Sequence, residues 1–192
     1  MNQIFDELLY FREKYLSKIR GFYHEGEIIK VLTGVRRCGK SSILKMIVRE
    51  LLSQGVKEEN ILFFNLDRRP YTTTNTAEQL NRLIEKNSKA SGMKYLFIDE
   101  IQNVKGFETV INSWREEGDY SIFKTGSNSY LLSGELVTKL TGRYLEFIIL
   151  PLTLEEFVGM KMFFGKEVPA DKQDILSEYI YEGGFPYAVR LD

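Results

Sequence analysis

Gly34-Val35-Arg36-Arg37-Cys38-Gly39-Lys40-Ser41 carries the spacing G-x-x-x-x-G-K-[ST]. Two glycines let a backbone curl until consecutive N–H groups face one point, a concavity that suits an anion and that side chains would obstruct. In such a loop Lys40 reaches terminal phosphate oxygens as a point charge, and the Ser41 hydroxyl, with Ser42 behind it, is set to ligate a divalent cation. Upstream, residues 27–33 form a β-branched, largely apolar run of the kind buried on both faces of a parallel sheet. Downstream, Ile43, Leu44, Ile47, Val48, Leu51 and Leu52 recur at helical spacing as far as Gly55, a stop signal. Strand, glycine-rich turn and helix in that order aim the positive end of a helix dipole at the anion. Residues 34–42 are therefore the candidate phosphate site.

The alternation continues along the chain. Residues 61–66, 95–98, 121–125 and 144–150 read as four further strands. Thr76-x-x-Gln79 is a capping box opening a helix with Leu80, Leu83 and Ile84. Phe107, Val110, Ile111 and Trp114 mark another helix at i, i+3, i+4 and i+7. An amphipathic helix is expected over 2–20, and short helices over 129–141. This is the pattern of an α/β fold, a parallel five-stranded sheet with helices on both faces. Pro151 breaks the pattern. Thr153, with Glu155 and Glu156, then starts a helix, and a second helix spans about 171–182 before Gly183-Gly184-Phe185-Pro186. The expected division is a core over 1–151 and a helical lid over 152–192, read as the start of a longer C-terminal region.

Composition narrows the function classes. The chain has 192 residues, 43% of them hydrophobic and 28% charged, the balance of a globular domain. Its 26 basic residues nearly cancel 27 acidic ones, so no global positive field recruits nucleic acid or an anionic membrane. The longest apolar stretch, 147–152, is far too short to cross a bilayer, and the opening residues, with Asp6 and Glu7, do not read as a secretory leader. One cysteine permits no internal disulfide, as expected in a reducing cytoplasm. That cysteine, Cys38, reads as a small side chain fitting a tight loop, in an electropositive setting that lowers a thiol pKa.

A second signal lies in Tyr95-Leu96-Phe97-Ile98-Asp99-Glu100. Two carboxylates ending a buried strand are costly without work or partners, and ligands bind at that edge of open α/β sheets. Asp99 is placed to hold Mg²⁺, and Glu100, pointing elsewhere, suits activation of an attacking water. When the Glu follows the Asp directly, the next strand commonly inserts between this one and the first. Ser127 or Asn128, in Thr125-Gly126-Ser127-Asn128-Ser129, then becomes a candidate polar sensor, although the same residues are ordinary turn chemistry. Arg143 offers a guanidinium that can complete a neighbouring subunit's site. Arg36 and Arg37 face phosphate, a partner or solvent. Arg12, Arg68 and Arg69 read as surface or pocket-rim residues, His24 as a loop residue, and Tyr23 as a weak candidate to pack on a base.

Together with Gly142-Arg143-Tyr144, Pro151-Leu152-Thr153-Leu154-Glu155-Glu156-Phe157 and Gly183-Gly184-Phe185-Pro186, these motifs resemble AAA+ P-loop ATPases. The nearest resemblance is to the bacterial and archaeal AAA-type ATP-binding proteins that carry a further C-terminal domain. It covers about residues 12–190. It implies sheet order 5-1-4-3-2, ATP and Mg²⁺ as ligands, and a possible homo-oligomer. It also implies Walker roles for Lys40, Ser41, Asp99 and Glu100, a sensor at Ser127 or Asn128, and a finger at Arg143. No second-sensor arginine can be assigned from the lid.

The leading expectation is an Mg²⁺-dependent ATPase driving a conformational change on a protein or nucleic-acid partner. The alternative is a nucleotide-gated switch with negligible hydrolysis. A kinase is disfavoured because Glu100 would activate water and waste ATP, and a GTPase because no Asn-Lys-x-Asp motif is present.

Overall fold

Five short runs of apolar and aromatic residues become strands β1 (Ile29–Thr33), β2 (Ile61–Asn65), β3 (Lys94–Asp99), β4 (Tyr120–Thr125) and β5 (Tyr144–Ile148). The computed structural model describes residues 7–126 and 142–191. Its strands form one sheet in the order β2-β3-β4-β1-β5, every neighbouring pair parallel. The expected order is thus observed, with β4 inserted between β1 and β3. Because all strands run the same way, the residues that end them meet at one edge.

Burial explains the strand composition. β1, β3 and β4 are covered on both faces and contain no exposed residue, whereas the edge strand β5 alternates between partly and fully exposed positions. On one face Leu32, Phe97 and Phe123 pack against α1 (Glu13–Ile19) and α2 (Lys40–Ser53), with the two phenylalanine rings stacked 4.8 Å apart. On the other, Val31, Leu96, Ile98 and Ile122 meet α3 (Ala77–Asn87) and α4 (Phe107–Glu116). The capping box anticipated at Thr76 and Gln79 is formed.

Beyond β5, α5 (Leu154–Phe163), α6 (Lys172–Glu182) and α7 (Pro186–Arg190) share a smaller cluster of Leu152, Phe157, Met160 and Val189. Thr153 and Glu156 close a second capping box at the start of α5. The Gly183-Gly184 turn folds back so that Leu152 N–H donates to the Gly184 carbonyl at 2.6 Å. That bond fixes where α7 begins.

The helix expected over 2–20 is much shorter. Residues 8–12 are not helical, and α1 starts only at Glu13. Arg12 leaves helical geometry at φ −89° and ψ 78° because its side chain is drawn into contacts with the glycine-rich loop and α5. Leu9 is buried in the main core, and Tyr10 packs on the smaller cluster. Ser127, Asn128 and the helices expected over 129–141 lie outside the described residues. Among the described residues, no helix is long and apolar enough to cross a membrane.

Candidate functional site

The loop between β1 and α2 closes on two glycines that no other residue can replace easily. Gly34 has φ +143°, and a Cβ there would lie 2.1 Å from the Ile149 carbonyl oxygen and 2.9 Å from Cys38 Sγ. Gly39, the N-cap of α2, has φ +102°; a Cβ on it would stand 3.5 Å from Pro186 Cγ. Arg37 also takes a left-handed φ of 68°, which completes the curl. Lys40 opens α2 and is nearly buried, its ammonium donating to the Gly34 and Val35 carbonyls at 3.0 and 3.1 Å.

Asp99 ends β3 facing this loop. Its side chain is 0% exposed and accepts three hydrogen bonds, each from a different element. Ser41 Oγ donates to Oδ1 at 3.0 Å, Thr125 Oγ1 to Oδ1 at 2.7 Å, and Asn65 Nδ2 to Oδ2 at 2.6 Å. Burial pushes its pKa up, and the Thr125 and Ser41 hydroxyls pull against that shift. Glu100 follows at φ +63°, a left-handed conformation that costs energy for a non-glycine residue. Its N–H donates to Thr125 Oγ1 at 2.9 Å, and its carboxylate accepts from the Gln102 amide. Adjacent residues of one strand end are thereby turned apart, Asp99 toward Ser41 and Glu100 toward open space.

The loop forms one wall of a cavity of about 450 Å³. Arg37, Lys40, Arg68 and Arg190 line it against the single carboxylate of Glu100, while Leu9, Tyr10, Met46, Met160 and Tyr187 supply an apolar side. Such a wall fits a polyanion joined to a flat apolar group. The donor set also fits a hard cation: a serine hydroxyl and a buried carboxylate oxygen 3.0 Å apart. Among the described residues, no group of three or more His, Cys, Asp or Glu side chains is gathered to hold a metal ion, so the Ser41–Asp99 pair is a partial donor set.

Several expected residues stand elsewhere. Tyr23 is a core side chain, its hydroxyl donating to Glu50 at 2.7 Å, and is no wall of the cavity. Arg12 is 3% exposed and so no surface residue, but it does line the cavity, where it ion-pairs with Glu156. Cys38 is 0% exposed, and burial raises its thiol pKa, outweighing the nearby Lys40 and Arg12 charges that were expected to lower it. His24 is an exposed turn residue, as expected, with Nδ1 2.7 Å from the Tyr95 phenol oxygen. Arg143 precedes β5, whose first residue pairs with Ile29 at the start of β1. It is therefore at the opposite edge of the sheet from the loop, about 13 Å of strand away, where it pairs with Glu116 at 3.3 Å.

A family model described as AAA domain matches residues 26–158. The chain belongs to the AAA domain family. Among curated relatives of this AAA domain, an uncharacterized protein of Haemophilus influenzae is 41% identical over 182 residues, covering 94% of this chain and 45% of that protein. An uncharacterized protein of Methanocaldococcus jannaschii is 34% identical over 169 residues, covering 85% of this chain and 37% of that protein. The chain thus spans less than half the length of these relatives. Its fold resembles a Walker-type ATPase of Pyrococcus abyssi, with TM-score 0.63, 17% identity and coverage of 97% and 69% of the two chains. It also resembles AMPPCP-bound DnaA from Aquifex aeolicus, with TM-score 0.62, 15% identity and coverage of 97% and 62%. The AAA domain therefore has the AAA+ P-loop architecture, an architecture of nucleotide-binding proteins.

Several contributors to the site escaped sequence reading, the apolar side of the cavity and three polar residues among them. Asn65 and Thr125 both bind Asp99, and Arg190 reaches the cavity from α7. A signal for the first two exists: β1 to β4 all end on a polar residue, Thr33, Asn65, Asp99 and Thr125. In a parallel sheet such ends converge. Nothing local marks Arg190.

Proposed function

We propose that this AAA domain binds MgATP in the cavity beside Lys40 and hydrolyses it, coupling the phosphate state to movement of the helical segment. The observation that carries this reading is the convergence of the loop, the Ser41–Asp99 contact and the outward-turned Glu100 on one cavity with a cationic wall and an apolar wall. Loop N–H groups and Lys40 hold the phosphates. Lys40 exchanges its carbonyl partners for phosphate oxygens. Ser41 and Asp99 are the residues that would hold Mg²⁺, which when bound supplies charge neutralisation at the terminal phosphates.

Glu100 accepts a proton from the attacking water as general base, a contribution of about 10²–10⁴ in rate. Thr125 keeps Glu100 in its left-handed conformation and so aims it. Ser127 or Asn128, which follow Thr125 in sequence, takes the polar-sensor role in this reading, and Arg190 on α7 supplies a cation from the helical side. Leu9, Tyr10 and Tyr187 form the surface for the base. Arg143 belongs, in this reading, to the site of a second copy.

Phosphate release and calorimetry on the wild type, Lys40→Ala and Glu100→Gln test the proposal. We expect release to vanish in both variants, with nucleotide uptake kept only by Glu100→Gln. Correctly folded wild type that takes up no MgATP refutes the proposal. Tight uptake without release by the wild type instead favours the nucleotide-gated switch, a reading consistent with the Gln102 amide held on the Glu100 carboxylate. A rate per chain that rises with protein concentration supports Arg143 acting between copies; a constant rate in a monomer removes it from the mechanism.

A further inference from the structure

Arg12 spends its whole hydrogen-bonding capacity in one place. A guanidinium has five N–H groups, and here there are five acceptors. Nε donates to Glu156 Oε1 at 2.9 Å and Nη2 to Glu156 Oε2 at 2.8 Å. Nη1 donates to the Cys38 carbonyl at 2.9 Å and to the Leu150 carbonyl at 3.0 Å, and Nη2 also reaches the Pro151 carbonyl at 3.3 Å. The Tyr15 ring lies 4.6 Å beneath the guanidinium, and its hydroxyl accepts the Leu150 N–H at 3.0 Å.

The contact to Cys38 matters most. The Cys38 carbonyl and the Gly39 N–H belong to one planar peptide unit and point in opposite directions. Holding the carbonyl against Arg12 therefore turns the Gly39 N–H away from that guanidinium, and Gly39 itself lines the cavity. Gly39, at φ +102° and without a side chain, has no intrinsic preference that would hold this peptide in place. The same guanidinium grips α5 through Glu156 and the segment before it through the Leu150 and Pro151 carbonyls.

We infer that Arg12 is a positioning residue for the phosphate loop, and that the Arg12–Glu156 pair links the loop's Cys38–Gly39 peptide to helix α5. This rests on the nucleotide-binding reading above. A nucleotide that draws on the Gly39 N–H stiffens the whole chain of contacts, and α5 feels the loop's occupancy through one buried ion pair. Buried pairs of this kind are seldom needed for stability alone, since apolar side chains can replace them. Their value lies in fixed geometry, and a lysine, with three donors on a single nitrogen, cannot reproduce the fork.

The test uses Arg12→Lys, Glu156→Gln and the double variant. Glutamine keeps an acceptor for the capping box at Thr153, so this variant folds even if Arg12→Lys does not. Calorimetry with MgATP should find affinity lowered about tenfold in each single variant, the size of one lost charge-assisted contact. The double variant should be no weaker than the weaker single, because the pair acts as a unit. Hydrogen exchange over 153–163 should slow on MgATP binding in the wild type and not in Glu156→Gln. Nucleotide affinity within twofold of the wild type in Glu156→Gln, with only the denaturant midpoint lowered, marks a purely structural clamp and overturns the inference. So do losses that multiply in the double variant. Wild type that takes up no MgATP overturns the proposed function and this inference with it, whereas wild type and variants that bind equally well overturn the inference alone.

Discussion

Replacing Thr125 by valine tests how Asp99 and Glu100 are held at one strand end. The hydroxyl works in both directions: it donates to Asp99 Oδ1 at 2.7 Å and accepts the Glu100 N–H at 2.9 Å. Valine fills nearly the same space but offers neither. Losing a bond to a buried carboxylate costs about 2 kcal/mol and losing the bond to a main-chain N–H about 1 kcal/mol, so the sum is about 3 kcal/mol. For a chain of this size that corresponds to a melting point lower by about 6–12 °C. Thr125→Ser keeps the hydroxyl and should stay within about 1 kcal/mol of the wild type. Urea titrations give the stabilities, and phosphate release gives the function. Valine should depress release further than nucleotide binding, because Glu100 is then free to leave its left-handed conformation. If Thr125→Val is as stable as the wild type, or serine is as damaging as valine, the hydroxyl does not hold this corner and the reasoning fails.

Other perturbations follow from the same geometry. Lys124 Nζ is buried over the Phe107 ring with no hydrogen-bond partner among the described residues, and burial lowers its pKa to about 7, against an opposing pull from Glu108. The unfolded chain, with a lysine pKa of about 10.4, therefore binds more protons between those values, and stability should rise with pH from 7 to 9 at up to about 1.4 kcal/mol per unit per group. Lys30, lowered to about 7 by its own burial, acts in the same sense, so urea midpoints for Lys124→Met should show a slope reduced but not abolished. Native Cys38, buried and with a raised pKa, should resist iodoacetamide until urea unfolds the chain; rapid labelling of folded protein would contradict its placement. Gly34→Ala drives a methyl to 2.1 Å from the Ile149 carbonyl oxygen and should lower the urea midpoint severely, by about 3 kcal/mol or more. Gly21→Ala, with nothing within 4 Å and no positive φ, should leave the midpoint nearly unchanged.

The glycine-rich loop, the acidic strand end and the five strands were legible because each rests on local chemistry. A left-handed turn needs glycine, a buried strand needs continuous apolar residues, and a capping box needs its two partners three residues apart. Even the insertion of β4 between β1 and β3 was anticipated from the adjacency of Asp99 and Glu100. The errors share a cause. Arg12, Tyr23 and Cys38 take their environments from residues far along the chain: Glu156 for Arg12, Glu50 for Tyr23, and Ile149 beside the loop that holds Cys38. The expected N-terminal helix failed for the same reason, since a contact 144 residues away pulls Arg12 out of helical geometry.

Sequence by itself determined the loop proposed to cradle phosphate, because such a cradle is made of backbone and needs only the right residues in a short row. Tertiary structure alone decided who supports that cradle and what lies across from it. Thr125 and Asn65 meet Asp99 only because parallel strands end at a common edge. Pro186 and Arg190 stand over the loop only because the Gly184 turn folds the last helix back onto Leu152. Contacts between distant segments leave no periodic or local trace, since their energy depends on where the packed core carries each end.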